Sequence, residues 1–153
     1  MDESVHKIIQ NSDFWMGLFD KVFNQSLVGM AMLDRDDMFL RVNHSFAMML
    51  GYTPEELIGR TWQSVTNPDD RAMSAAFLQK HLEHYPSELR AVEKRYISKS
   101  GENVFCRITT FFVDNPENHH RIHRVTQIEN RTDVVVLKEK LTRFRKELAK
   151  RDS

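Results

Sequence analysis

Three aspartates, Asp34, Asp36 and Asp37, crowd one short stretch, a density of carboxylate oxygens that suits a hard cation. The same residues favour tight turns, because a short acidic side chain accepts hydrogen bonds from the backbone just ahead of it. A turn is the commoner reason for such a cluster. His119, His120 and His123 are the best transition-metal candidates, with His119 and His123 on one face of a strand that begins early. No carboxylate or cysteine nearby completes their ligand set, so no metal site is predicted. His81 and His84 stand three apart in a predicted helix and read as part of a solvated face. The chain lacks a Gly-x-Ser-x-Gly elbow, a glycine-rich phosphate loop, a His-Glu-x-x-His pair and any cysteine cluster. It is therefore expected not to be an enzyme.

Composition narrows the partners. The 22 basic and 22 acidic side chains cancel, so no global field draws the chain to nucleic acid or to a membrane surface. A length of 153 residues suits one domain with terminal extensions, and ten Phe and eight Met supply one core. Cys106 is the single cysteine, which excludes an internal disulfide and fits a reducing, cytoplasmic setting. No apolar run approaches the roughly 18 residues of a membrane span.

Candidate residues need elements to hold them. Residues 3–26 read as helix, broken near Asn11-Ser12-Asp13, with Ser12 or Asp13 capping a second part. That part carries Phe14, Trp15, Leu18, Phe19, Val22 and Phe23 as a wide apolar stripe, to be packed on a sheet, on a second copy, or on both. Residues 28–34 and 38–43 form a predicted hairpin around the aspartates. Two very short helices follow between Asn43 and Arg60. Asn43 caps the first and Gly51 ends it; Thr53, Pro54 and Glu56 start the second and Gly59 ends it. Helices this short must be held by packing, through Phe46, Met49, Leu50, Leu57 and Ile58. Asn67-Pro68-Asp69-Asp70 starts a third helix reaching about Leu82, with Met73, Ala76 or Phe77, Lys80 and the neighbouring Leu78 and Leu82 on its apolar face. Three antiparallel strands close the domain at 89–98, 103–114 and 121–129, with a loop at Asn115-Pro116-Glu117-Asn118.

The run Val42-Asn43, Phe46, Leu50-Gly51-Tyr52 and Glu56-Leu57-Ile58-Gly59-Arg60 closely resembles the central motif of PAS domains, the small sensory modules of signalling proteins. Glu93, Arg95 and Lys99-Ser100-Gly101 resemble the family's charged strand and its Lys-Asp-Gly turn, and Gln127 to Thr132 resemble its closing Asp-Ile-Thr motif. Two positions depart: Asn67 stands where many members have His, and Asn130 where the closing Asp is usual. Asn130 still accepts a backbone hydrogen bond, but loses any salt bridge.

The resemblance implies an α+β fold: a five-stranded antiparallel sheet with short helices on one face. An N-terminal amphipathic cap (residues 1–26) and a C-terminal signalling helix (133–153) would flank a core of 27–132. It also implies a small apolar cavity between sheet and helices, for which Met49, Trp62, Met73, Phe77, Cys106 and Ile108 are the candidate lining residues. The same side chains equally suit a filled core. Flavin photoreceptor members carry a reactive cysteine in the region of Thr61 to Asp70, which is missing here, and haem-sensing members place a histidine near Ser74. Both departures argue against those cofactors, and the sequence identifies no other.

Val134, Leu137, Leu141, Phe144 and Leu148 recur at spacings of three and four, the seam of a coiled coil. Little over two heptads is marginal alone, so Leu137, Leu141, Phe144 and Leu148, with Phe14, Trp15, Leu18 and Phe19, are the candidate contacts of a parallel homodimer. The expected function is sensing of a small ligand or partner, with relay through the last helix to a downstream effector domain. The alternatives are a ligand-free dimerisation module and a redox sensor with noncovalent flavin or haem.

Overall fold

A computed structural model of the chain describes residues 2–84, 90–114 and 121–153. Side-chain alternation sets its central sheet. In β1 (Gly29–Asp34), positions 29, 31 and 33 are buried while 30, 32 and 34 are half-buried. The same period of two governs β4 (Asn103–Asp114), where Val104, Cys106, Ile108 and Thr110 turn inward. With β2 (Phe39–Val42), β3 (Ala91–Ile97) and β5 (Arg121–Asn130) these strands form one sheet in the order β2-β1-β5-β4-β3, every neighbouring pair antiparallel. The expected α+β, five-stranded antiparallel fold is what the chain adopts. The loop expected at 115–118 lies outside the described residues, as do His119 and His120.

The aspartate cluster serves the β1–β2 turn. Asp34 Oδ1 accepts the N–H of Asp36 at 2.8 Å and of Met38 at 3.1 Å, and Asp37 takes a left-handed φ of 67°. Among the described residues, no group of three or more His, Cys, Asp or Glu is placed to hold a metal ion.

Short helices lie over the inner face: α3 (His44–Leu50), α4 (Pro54–Leu57), a 3₁₀ turn (Trp62–Val65) and α5 (Pro68–His84). Their local signals are the expected ones. Thr53 and Glu56 form a reciprocal capping box, and Gly51 ends α3 with φ 76°. Phe46, fully buried, sets its ring against Phe39 and Tyr96 at 5.6 and 5.4 Å between centroids. Gly29 is required by close approach: a Cβ there would lie 3.0 Å from the Ile128 carbonyl oxygen and 3.2 Å from the Phe46 Cβ. Asn43 ties the pieces together. Completely buried, its Oδ1 accepts the N–H of Phe46 (3.0 Å) and of Met30 (2.9 Å), and its Nδ2 donates to the carbonyls of Phe23 and Val28, each at 2.9 Å.

Both termini are helical. α1 (Glu3–Ile9) and α2 (Ser12–Gln25) meet at Asn11, whose side chain caps α2 in place of the expected Ser12 or Asp13. An asparagine oxygen one residue earlier reaches the N–H groups of Asp13 and Phe14 at 2.9 and 3.3 Å. Within one chain the α2 stripe is not laid on the sheet. Only Phe23 is buried; the Arg41 guanidinium stacks over its ring at 4.7 Å and pairs with Asp20 at 2.9 Å. Phe14, Trp15, Leu18 and Phe19 keep 40–47% of their surface exposed, because α2 is anchored only through its last turns. α6 (Thr132–Arg151) buries no residue, and Leu137, Leu141, Phe144 and Leu148 are all exposed. No helix among the described residues is long and apolar enough to cross a membrane.

Candidate functional site

A cavity opens between α5, the 3₁₀ turn and the inner faces of β3, β4 and β5, with about 40 Å³ of room for the centre of a water molecule. Strand parity sets its polar floor. On β3, Val92, Lys94 and Tyr96 face inward, opposite in parity to Glu93 and Arg95; on β5, Arg124 and Thr126 do the same. Phe39, Trp62, Phe77, Leu78, Leu33 and Ile108 supply the apolar walls, and Ser74, Thr110 and Thr126 the hydroxyls.

Lys94 is the unusual group. It is 7% exposed, and its Nζ donates to Thr66 Oγ1 at 3.2 Å. The Thr66 hydroxyl itself donates to the Trp62 carbonyl at 2.8 Å, which turns its lone pairs toward the ammonium. The ammonium also lies over the rings of Trp62 and Tyr96, 4.2 and 4.6 Å from their centroids. No carboxylate among the described residues lies within ion-pair distance of it. Burial, the largest cause, pulls Lys94 down to about 7; Arg124 lowers it too, while Cys106, Asp70 and Asp37 act in the other direction.

Arg124 is also buried but has a counter-ion, ion-pairing with Asp37 across from β5 to the β1–β2 turn. Burial alone would raise the Asp37 carboxyl, but hydrogen bonds from Gln63 (2.8 Å) and Arg124, and the Arg124 charge, hold it below the usual carboxylate range. The Trp62 indole N–H, turned toward the same carboxylate, makes no hydrogen bond of good geometry. Asp70 is fully engaged elsewhere, accepting from the Arg95 backbone N–H at 2.8 Å and from its guanidinium at 2.9 and 2.7 Å.

The structure divides the six residues predicted to line a pocket. Trp62, Phe77 and Ile108 line this cavity. Met73 and Cys106 instead border a groove where the first turn of α6 passes Glu93, Arg95 and Phe105, and Met73 is 45% exposed because α5 turns Ser74 rather than Met73 inward. Met49 packs on the core with its sulfur 3.7 Å from that of Cys106. Burial pushes the Cys106 thiol up to about 12, so it is a core side chain and not a nucleophile.

His81 corrects a further expectation. It is 3% exposed rather than solvated, with Nε2 2.9 Å from the Thr110 carbonyl oxygen and its ring beside Phe77 and Phe112. The apolar face of α5 is therefore Ser74, Phe77, Leu78 and His81, rotated from the one expected. The side chain of His84 lies outside the described set. Lys94, Arg124, Thr110 and Thr126 escaped the sequence reading, although Val-x-Lys-x-Tyr and Arg-x-Thr-x-Ile carry the inward parity of half-buried strands.

The strand that floors the cavity also holds the C-terminal helix. The Arg131 N–H donates to the Phe105 carbonyl at 2.6 Å, and the Phe105 N–H donates to Thr132 Oγ1 at 3.1 Å. Asn130 Oδ1 accepts from the Thr132 N–H and hydroxyl at 3.0 and 2.7 Å, the backbone role expected of it in place of aspartate.

Comparison with known proteins agrees with this geometry. A family model described as the PAS fold matches residues 39–126. The chain is 27% identical over 112 residues to a probable diguanylate cyclase, DgcE, of Escherichia coli, covering 73% of this chain and 10% of that protein. It is 25% identical over 100 residues to the sensor histidine kinase TmoS of Ectopseudomonas mendocina, covering 63% of this chain and 10% of that protein. This chain thus spans about a tenth of the length of both curated relatives. The crystal structure of a PAS domain from Colwellia psychrerythraea superposes with a TM-score of 0.69 at 16% identity, over 76% of this chain and 96% of that one.

Proposed function

We propose that this chain, which belongs to the PAS fold family, is a non-catalytic sensory module that reports the occupancy of its inner cavity through α6. The observation that carries the reading is the double use of β4. Its inward residues Ile108 and Thr110 line the cavity, while Phe105 of the same strand clips the start of α6 by two hydrogen bonds, its carbonyl accepting the Arg131 N–H and its N–H donating to the Thr132 hydroxyl. A ligand that shifts β4 relative to α5 must carry Phe105 and the start of α6 with it, biasing a two-state packing of the helix.

The division into a cap (1–26), a core (27–132) and a signalling helix (133–153) belongs to this reading. The exposed seam of Leu137, Leu141, Phe144 and Leu148 gains a partner in a parallel homodimer, helped by Phe14, Trp15, Leu18 and Phe19 of α2. An effector domain of the kind named in the two relatives is the natural recipient of the signal. The lone, buried Cys106 suits a reducing, cytoplasmic site.

A second reading, a ligand-free dimerisation module, is favoured by the small size of the cavity beside the large exposed stripes of α2 and α6. Flavin or haem would need roughly 300 Å³ or more, which speaks against the redox reading. Native mass spectrometry and a visible absorbance scan of the purified chain separate the three. A small molecule released on denaturation is expected; a dimer that releases nothing under any preparation contradicts the sensory reading.

A further inference from the structure

Two cations share one buried cavity, and among the described residues only one of them has a counter-ion. Arg124 is neutralised by Asp37, whereas Lys94 is met by a threonine oxygen and two aromatic faces. The other carboxylate near it, Asp70, already accepts three hydrogen bonds from Arg95. With Lys94 protonated, the buried set Lys94, Arg124 and Asp37 carries one net positive charge. A buried charge without a partner is costly and ordinarily sheds its proton or finds a counter-ion. A single negative charge in the cavity would complete the set.

Size and lining narrow that anion. The cavity leaves about 40 Å³ for the centre of a water-sized sphere, far below the several hundred Å³ of a drug-sized site, and so suits a ligand of a handful of non-hydrogen atoms. The sheet offers the Lys94 ammonium, the Arg124 guanidinium and the Thr110 and Thr126 hydroxyls, 3.3 Å apart, beside the apolar Ile108, and α5 adds Phe77 and Leu78. A group that is charged at one end and apolar at the other matches both surfaces. We infer that the cavity takes a short-chain monocarboxylate, its carboxylate held between Lys94 and Arg124 and its hydrocarbon end against Phe77 and Ile108. This rests on the sensory reading of the same cavity.

The inference has a pH signature. The charged and titratable groups facing Lys94 are Arg124 on β5, Asp37 in the β1–β2 turn, Asp70 on α5, Cys106 on β4 and Tyr96 on β3. Burial holds Lys94 at about 7, so a carboxylate that needs the ammonium must bring a proton with it at higher pH.

The test is a titration of the full chain, followed by amide NMR, with sodium propionate at constant ionic strength. Propionamide, its neutral isostere, and sodium nitrate, an inorganic monoanion, serve as comparison probes. Propionate is expected to shift the amides of Val92–Tyr96, Thr110 and Arg124–Thr126 saturably, and to bind at least about tenfold more weakly near pH 8.5 than near pH 6. Lys94→Met and Lys94→Gln should each lose the response while keeping the remaining spectrum; either one that folds suffices. Propionamide binding as well as propionate, nitrate binding in its place, a folded Lys94 variant that still responds, or no saturable shift would each overturn the inference. A neutral molecule released on denaturation, with no carboxylate response, rejects the anion and leaves the sensory reading standing.

Discussion

Replacing Lys94 with methionine should stabilise the domain, and the gain should depend on pH in a direction the structure fixes. Methionine keeps the length of the stem among Trp62, Tyr96 and Ile108 while removing a charge that has no ion-pair partner among the described residues. At about pH 6 both folded and unfolded Lys94 carry the proton, so the whole cost of the buried ammonium is present. The folded group titrates at about 7, whereas an unfolded lysine holds its proton to about 10.4. Across that window the unfolded state binds more protons, and stability of the wild type rises with pH. From about pH 6 to 8.5 the cost shrinks by roughly one and a half pH units' worth, about 2 kcal/mol. Cys106 and Tyr96, both pushed up by burial, act in the opposite sense at higher pH, so the comparison is kept below their unfolded values and read as variant against parent. Urea unfolding followed by circular dichroism, in a buffer free of carboxylates, measures it. Lys94→Met should be the more stable form near pH 6, and its advantage should fall by about 2 kcal/mol near pH 8.5. An advantage that does not change with pH, or a loss at both values, refutes the reasoning.

Other perturbations test the scaffold and the assembly. Asn43→Ala removes four hydrogen bonds from a fully buried residue, and at about 1 kcal/mol net for each it should cost about 4 kcal/mol in urea unfolding. Gly51→Ala meets no atom nearer than the Lys99 Cβ at 3.9 Å, so its cost is conformational alone, about 1 kcal/mol; an unchanged melting temperature would contradict the left-handed cap. Asp70 is held below the usual carboxylate range chiefly by its hydrogen bond from Arg95. Its contribution is present above the ordinary carboxylate value and lost as pH falls through its folded value, so Asp70→Asn should flatten the acid limb of a stability-against-pH curve. Leu141→Glu with Phe144→Glu should turn a dimer into a monomer in sedimentation; a dimer indifferent to both charges moves the interface to α2 or the sheet.

Signals that act within a few residues were legible in the sequence. Asn43, Gly51 and the Thr53–Glu56 box do locally what their types imply, and the strand expected over residues 103–114 lies where its apolar run placed it. The cavity was less legible because its polar lining comes from four elements whose meeting only the fold decides. Lys94 sits between Glu93 and Arg95 and looks like a third solvated charge, yet its parity places it inside. His81 reads as surface beside Lys80 and Glu83, yet the rotation of α5 that turns Ser74 inward buries it as well. Met73 fails for the same reason, since a rotation of one residue moves it to the rim. The α2 stripe stands exposed within one chain, because amphipathicity states that a face wants cover and not what covers it.

The claim on which the account stands is that filling the inner cavity is felt at the start of α6. Ser74, 6% exposed on the cavity wall, allows this to be tested without any ligand, by hydrogen exchange on Ser74→Leu beside the wild type. The account predicts altered protection at Phe105 and through the first turn of α6, residues 131–135, in a protein that remains folded. Altered protection confined to α5 and β3, with Phe105 and α6 exchanging as before, would contradict it.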